Sequence, residues 1–268
     1  MVILGRMELV KRLDEIGFER TRRAISALLL SLIATIYLLL ALNAPPELNK
    51  ALFALAACYL VGFFGVVAEW FWGRWFASGL GWSGVMVAIG GLVQLGWTPV
   101  LAIYGGLHLA VIVPLMGKTM AARYDMQEGW RTRYGMDEYG VARLRKTVTR
   151  AAAMLPYVIL WALGPKEPEQ GMIATGAGLT ALLLVVAGLR GVVRLRSWGL
   201  LAMAGAAALL GATAVFTDSI TLFPRVYTSS AAIPRLMGGA PLVGALLLVA
   251  ALAPFARPAA RFLAAGRD

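Results

Sequence analysis

Residues 75–117, WFASGLGWSGVMVAIGGLVQLGWTPVLAIYGGLHLAVIVPLMG, run for 43 positions without a charge between Arg74 and Lys118. A helix needs about 20 apolar residues to cross the hydrocarbon core of a bilayer, because no backbone polar group can stay unpaired there. The stretch therefore holds two crossings, and Gly96-Trp97-Thr98-Pro99 supplies the turn between them. Working outward, uncharged gaps of 23 residues (Arg23 to Glu47) and 18 residues (Lys50 to Glu69) precede it. Gaps of 15 (Arg150 to Lys166), 20 (Glu169 to Arg190), 21 (Arg196 to Asp218) and 21 (Arg235 to Arg257) follow. The expected fold is all-α, a polytopic bundle of eight transmembrane helices.

Composition closes the other classes. With 60% apolar residues, 15% charged and a mean hydropathy of +0.75, the chain has too little polar surface for a soluble protein and too few charges for a disordered one. Cys58 is the only cysteine and His108 the only histidine, which excludes an intrachain disulfide and a bis-histidine metal or haem site. No metal and no cofactor is expected.

Charge placement orients the chain. Eight spans and cytoplasmic termini put 21 of the 25 basic residues on the cytoplasmic side, leaving Lys50, Lys166, Arg225 and Arg235 outside. The short fifth gap is a span only if Thr147, Val148 and Thr149 join it and Arg150 snorkels; without it the Arg190, Arg194, Arg196 cluster falls on the wrong side. The net charge of +11 is then a topology signal, and nucleic acid is not an expected partner, since no segment is long enough to fold as a basic domain. The expected partner surface is the bilayer itself, with anionic headgroups on the cytoplasmic side. An Ala-rich, Arg-biased composition fits a bacterial inner membrane.

These boundaries divide the chain into a cytoplasmic amphipathic helix (1–23), four spans (24–117), a basic cytoplasmic segment (118–150), four more spans (151–256) and a basic tail (257–268). In the first part Leu9, Val10, Leu13 and Ile16 fall within an arc of about 120° at helical spacing. Tryptophans sit at the expected span ends, Trp70, Trp72, Trp75 and Trp198 inside and Trp97 and Trp161 outside. Small residues one turn apart, as in Ala102 with Gly106, Ala174 with Gly178, Ala207 with Gly211 and Ala240 with Gly244, predict close helix packing. Pro99 and Pro114 in the fourth span echo Pro241 and Pro254 in the eighth, a match that an Ala- and Gly-rich chain produces by chance more readily than by repetition.

The basic segment has its own echo. Arg123-Tyr124-Asp125-Met126-Gln127-Glu128 is followed ten residues later by Arg133-Tyr134-Gly135-Met136-Asp137-Glu138. Arg123, Tyr124, Met126 and Glu128, with Arg133, Tyr134, Met136 and Glu138, compose a mixed surface of the kind enriched at interfaces, which makes 118–150 a candidate protein-docking site. The bland reading is a helical connection lying on the membrane, with the tyrosines and Trp130 in the headgroups.

Polar groups inside spans are costly and so are functional candidates. Glu69, Gln94, Tyr104 and His108 form a candidate pathway; against it, Glu69 reads as an interfacial carboxylate paired with a base such as Arg74, and His108 as a neutral hydrogen-bonding side chain. Arg225 and Arg235, near several hydroxyl residues, are candidate contacts for an anion or headgroup. Enzyme signatures are missing: no Gly-x-Ser-x-Gly, no Gly-x-Gly-x-x-Gly, no phosphate loop and no His-Glu-x-x-His. The leading expectation is a non-catalytic subunit or scaffold that docks a partner through 118–150. The alternative is a permease for a small or amphipathic molecule, and a lipid-modifying enzyme comes third.

The orientation predicts accessibility. In a Cys58-free background, cysteines placed at Lys50 and Glu167 will react with an impermeant reagent in intact cells, and one at Arg145 will not; labelling at Arg145 overturns the topology.

Overall fold

The computed structural model describes residues 17–164, 171–216 and 240–265. Residues 1–16 of the surface helix expected over 1–23, together with Arg225 and Arg235, lie outside the described residues. Among the described residues the chain forms ten α-helices and no strand. They are α1 (Glu19–Asn43), α2 (Pro46–Val67), α3 (Gly73–Leu95), α4 (Pro99–Leu115), α5 (Lys118–Asp125), α6 (Glu128–Tyr134), α7 (Glu138–Leu163), α8 (Gly171–Val193), α9 (Ser197–Phe216) and α10 (Ala240–Ala265). Five of them, α1, α2, α3, α8 and α9, are long and apolar enough to cross a membrane, and α4 with α5 makes a sixth if that pair, bent by 75°, counts as one span. A multi-pass membrane protein follows from these helices. α10 carries a shorter apolar run, Pro241–Ala256.

The helices pack as two closed rings of four. α1 to α4 touch in sequence and α4 returns to α1; α7 to α10 do the same and α10 returns to α7. α7 joins the rings by packing on α3 and α2. The join is close: a Cβ on Gly79 of α3 would collide with the Thr149 carbonyl of α7 and stand 2.7 Å from the Ala152 Cβ. The small-residue spacing read from the sequence is used in part. Gly178 and Gly244 lie at helix contacts, whereas Gly106 and Gly211 face open space.

Two boundaries differ from the sequence reading. Arg20 to Arg23, assigned there to the surface helix, belong to α1, and the last part of the basic segment is not a connection but the first half of α7. Asp137 starts that helix by accepting the Gly140 N–H at 2.6 Å. Val141, Leu144, Thr147, Val148 and Ala151 then recur on one buried face, so the helix continues through its charges to 26 residues and through Pro156.

One turn is built twice. Gly62 to Gly73 and Gly188 to Gly199 agree at six of twelve positions, sharing Gly-x-x-Gly-Val-Val and Trp-Gly. In each copy a residue with positive φ stands two positions after the second helix of a ring, Glu69 at 54° and Leu195 at 55°. In each, the following N–H reaches back to a glycine carbonyl, Trp70 to Gly65 at 3.0 Å and Arg196 to Gly191 at 2.9 Å. The next helix then approaches so closely that a Cβ on Gly73 or Gly199 would collide with the helix before it. A left-handed leucine costs roughly 1–2 kcal/mol. Leu195→Gly will therefore raise the thermal unfolding midpoint in detergent, by about 1 kcal/mol of stability; an unchanged or lower midpoint rejects the strained turn.

Candidate functional site

α4 stops early because Pro114 lies near its end and Gly117, at φ 98°, turns the chain into α5. Ending a helix leaves carbonyls without partners, which is expensive near a bilayer. Two arginines from other helices supply the donors. Arg22 of α1 donates to the Pro114 carbonyl at 3.0 Å and to the Met116 carbonyl, and Arg74 of α3 donates to the Leu115 carbonyl at 3.0 Å.

Arg74 is held in turn by Asp125, the last residue of α5. Its Nε and Nη2 donate to the two carboxylate oxygens at 3.2 and 2.7 Å, and the Trp75 indole N–H donates to the same group at 2.7 Å. Arg145 of α7 approaches to 3.6 Å. Asp125 is 2% exposed and Arg74 is 8% exposed, so this pair, unlike a surface ion pair, holds its partners strongly in place. The sequence reading paired Arg74 with Glu69 and passed over Asp125. The signal was available: an arginine at a membrane edge between tryptophans needs an acid, and the ten-residue echo has glycine where its first copy has Asp125.

Glu69 forms a second cluster beside the first. Its carboxylate pairs with Arg23 and with Arg123 (2.7 Å), while Gln127 donates to its carbonyl at 2.8 Å. Tyr124 is fully buried and its hydroxyl donates to the Val66 carbonyl at 2.7 Å. Burial raises the Tyr124 hydroxyl above the ordinary tyrosine range against the opposing pull of Arg23, Arg123 and Arg74, which keeps it a donor.

The residues expected to dock a partner thus separate. Arg123 and Tyr124 face the protein's own helices. Trp130, expected in the headgroups, is instead 8% exposed and stacks on Phe71 with ring centres 4.2 Å apart. Met136 is half-buried, whereas Met126, Glu128, Arg133, Tyr134 and Glu138 are exposed. Tyr139, not singled out in the sequence, is 75% exposed beside them.

The candidate pathway separates as well. Glu69 stands at the end of α2 with the arginines; Gln94 belongs to α3, and its side chain lies outside the described residues. Tyr104 and His108 sit deep in the first ring. His108 Nδ1–H donates to the Tyr104 carbonyl at 2.8 Å, which leaves Nε2 of the neutral ring to accept from the Tyr59 hydroxyl at 2.7 Å. The Tyr37 and Tyr104 hydroxyls meet at 2.9 Å. A Cβ on Gly84 of α3 would overlap the imidazole, so α2, α3 and α4 close on it, and Tyr37 of α1 joins through Tyr104. This is a satisfied, packed polar core, and among the described residues no group of three His, Cys, Asp or Glu side chains is placed to hold a metal.

Clefts lie at both ends of the bundle among the described residues. One, about 440 Å³, lies between α3, α4 and α7 beside Asp125, and the other, about 460 Å³, lies at the opposite end between α2, α7 and α8. His108 lines neither.

Removing the Asp125 charge strands Arg74. Asp125→Asn will cost about 3–5 kcal/mol of stability, and the pair Arg74→Met with Asp125→Leu will recover part of it, because no buried charge is then left alone. Thermal unfolding of the purified variants measures both, and a neutral Asp125→Asn contradicts the arrangement. Comparison with known proteins gives no match, whether to family models, curated proteins or solved structures.

Proposed function

We propose that the chain crosses the membrane eight times with both termini cytoplasmic and serves, in a bacterial inner membrane, as a non-catalytic subunit or scaffold that docks a cytoplasmic protein. The observation that carries this reading is the fastening of α5 to the bundle. With Asp125 and Tyr124 spent inward, α6 and the start of α7 are held at a fixed place with Arg133, Tyr134 and Tyr139 exposed. A rigid tyrosine and arginine surface loses little entropy on binding and is of the kind that anchors protein interfaces. Glu128, Asp137 and Glu138, all exposed on the same stretch, favour a protein of mixed charge over an anionic membrane surface.

The eight-span reading draws on the two rings, in which α7 and α10 occupy places equivalent to α1 and α4. Cytoplasmic termini draw on charge: Arg22, Arg74, Lys118 and Arg145 gather at one end of the bundle, around the α4 break. A permease path would have to pass His108, whose ring nitrogens are both taken.

Tyr134→Ser combined with Tyr139→Ser will lower the amount of cytoplasmic protein cross-linked to the chain in cells by about tenfold or more while membrane insertion and thermal stability stay normal. His108→Gln will leave that amount unchanged. A silent tyrosine pair with an inactive, normally expressed His108→Gln would instead put the permease, or the lipid-modifying enzyme, first.

A further inference from the structure

The cleft beside Asp125 is lined by four cations, Arg74, Arg145, Lys146 and Arg150. Asp125 is the carboxylate that answers them: it binds Arg74 and lies 3.6 Å from Arg145. Among the described residues no carboxylate pairs with Lys146 or Arg150. Arg150 donates to the Ala250 carbonyl of α10, which fixes its guanidinium without neutralising it. Lys146 is exposed and Arg145 keeps 44% of its side-chain surface. A concentration of positive charge beyond what the fold uses marks a place for an anion.

The cleft is also amphipathic along its length. Arg145 and Lys146 lie one turn of α7 before Thr149 and Arg150, at the end where α5 leaves the bundle. On the opposite wall Trp75 is followed by Trp82, roughly 10 Å further along α3, with Ile112 and Leu115 of α4 facing it. Trp82 is 42% exposed, within a helix long and apolar enough to cross a membrane. Trp75, Ile112 and Leu115 are buried behind it, so the cleft offers cations at its mouth and an exposed apolar ring further in, which suits a molecule with an anionic head and a hydrocarbon tail. A small soluble anion would use only the mouth.

We propose that this cleft binds the phosphate headgroup of an anionic phospholipid from the adjoining leaflet, with Arg145, Lys146 and Arg150 on the phosphate and an acyl chain against Trp82. The docking face lies elsewhere, on α6 and the start of α7, so either proposal stands without the other.

The test uses the full chain in detergent with a fluorescent phosphatidylglycerol as probe and unlabelled phosphatidylglycerol, phosphatidylcholine and inorganic phosphate as competitors. Phosphatidylglycerol is expected to displace the probe at least tenfold more effectively than phosphatidylcholine. Lys146→Gln and Arg150→Gln are each expected to weaken binding about fivefold, and Trp82→Ala to weaken the lipid as well. Lys50→Gln, at the far end of the bundle, serves as the control and will change nothing. Each variant is compared only if its unfolding midpoint matches the parent. Equal competition by the two lipids, or full affinity in both Lys146→Gln and Arg150→Gln, overturns the site. Displacement by inorganic phosphate as strong as that by phosphatidylglycerol, with Trp82→Ala silent, overturns the lipid in favour of a soluble phosphorylated molecule.

Discussion

A carboxylate placed under a broken helix organises one end of this protein. Asp125 is taken out of water, a transfer that costs several kcal/mol unless the charge is answered. Arg74 answers it with two N–H groups and spends a third on the Leu115 carbonyl that the break exposes. The bend between α4 and α5, the inward face of α5 and the position of Arg145 all depend on that one fork. Lysine could not replace it, since a point charge lacks the planar geometry that satisfies a carboxylate and a carbonyl together.

The interior of the first ring solves a different problem. Tyr37, Tyr59, Tyr104 and His108 bring four polar groups into an apolar bundle, and each finds a partner within the group or on a nearby carbonyl. Such a network gives α1, α2 and α4 a shared register that dispersion between alanines and leucines specifies poorly, because lipid tails compete equally for those surfaces. Ser26 of α1 adds to it by donating to the Val111 carbonyl of α4 at 3.0 Å.

The apolar helices were legible because their signal is the absence of charge over a length fixed by physics. α7 was harder: Arg143, Arg145, Lys146 and Arg150 read by charge as part of a connection separate from the span, although Val141, Leu144 and Val148 keep helical spacing through them. The paired arginines and acids were legible as types but not as pairs. Glu69 and Arg74 are five residues apart, yet the left-handed turn at Glu69 points its carboxylate to Arg23 and Arg123. The ten-residue echo misled for a related reason. Identical residues in its two copies meet different surroundings, so Tyr124 is buried and Tyr134 is exposed.

The twice-built turn separates shape from charge. It follows the second helix of each ring, where the chain must reverse within a few residues and the next helix lies against the last. The two copies keep the glycines and the tryptophan that shape the turn, but where one carries Glu69 the other carries Leu195. The first copy has charge at the turn and ties it to neighbouring segments; the second keeps the shape and drops the acid. The glycines and the tryptophan set the path of the backbone, so the left-handed position can hold either an acid that fastens Arg23 and Arg123 or a leucine that fastens neither.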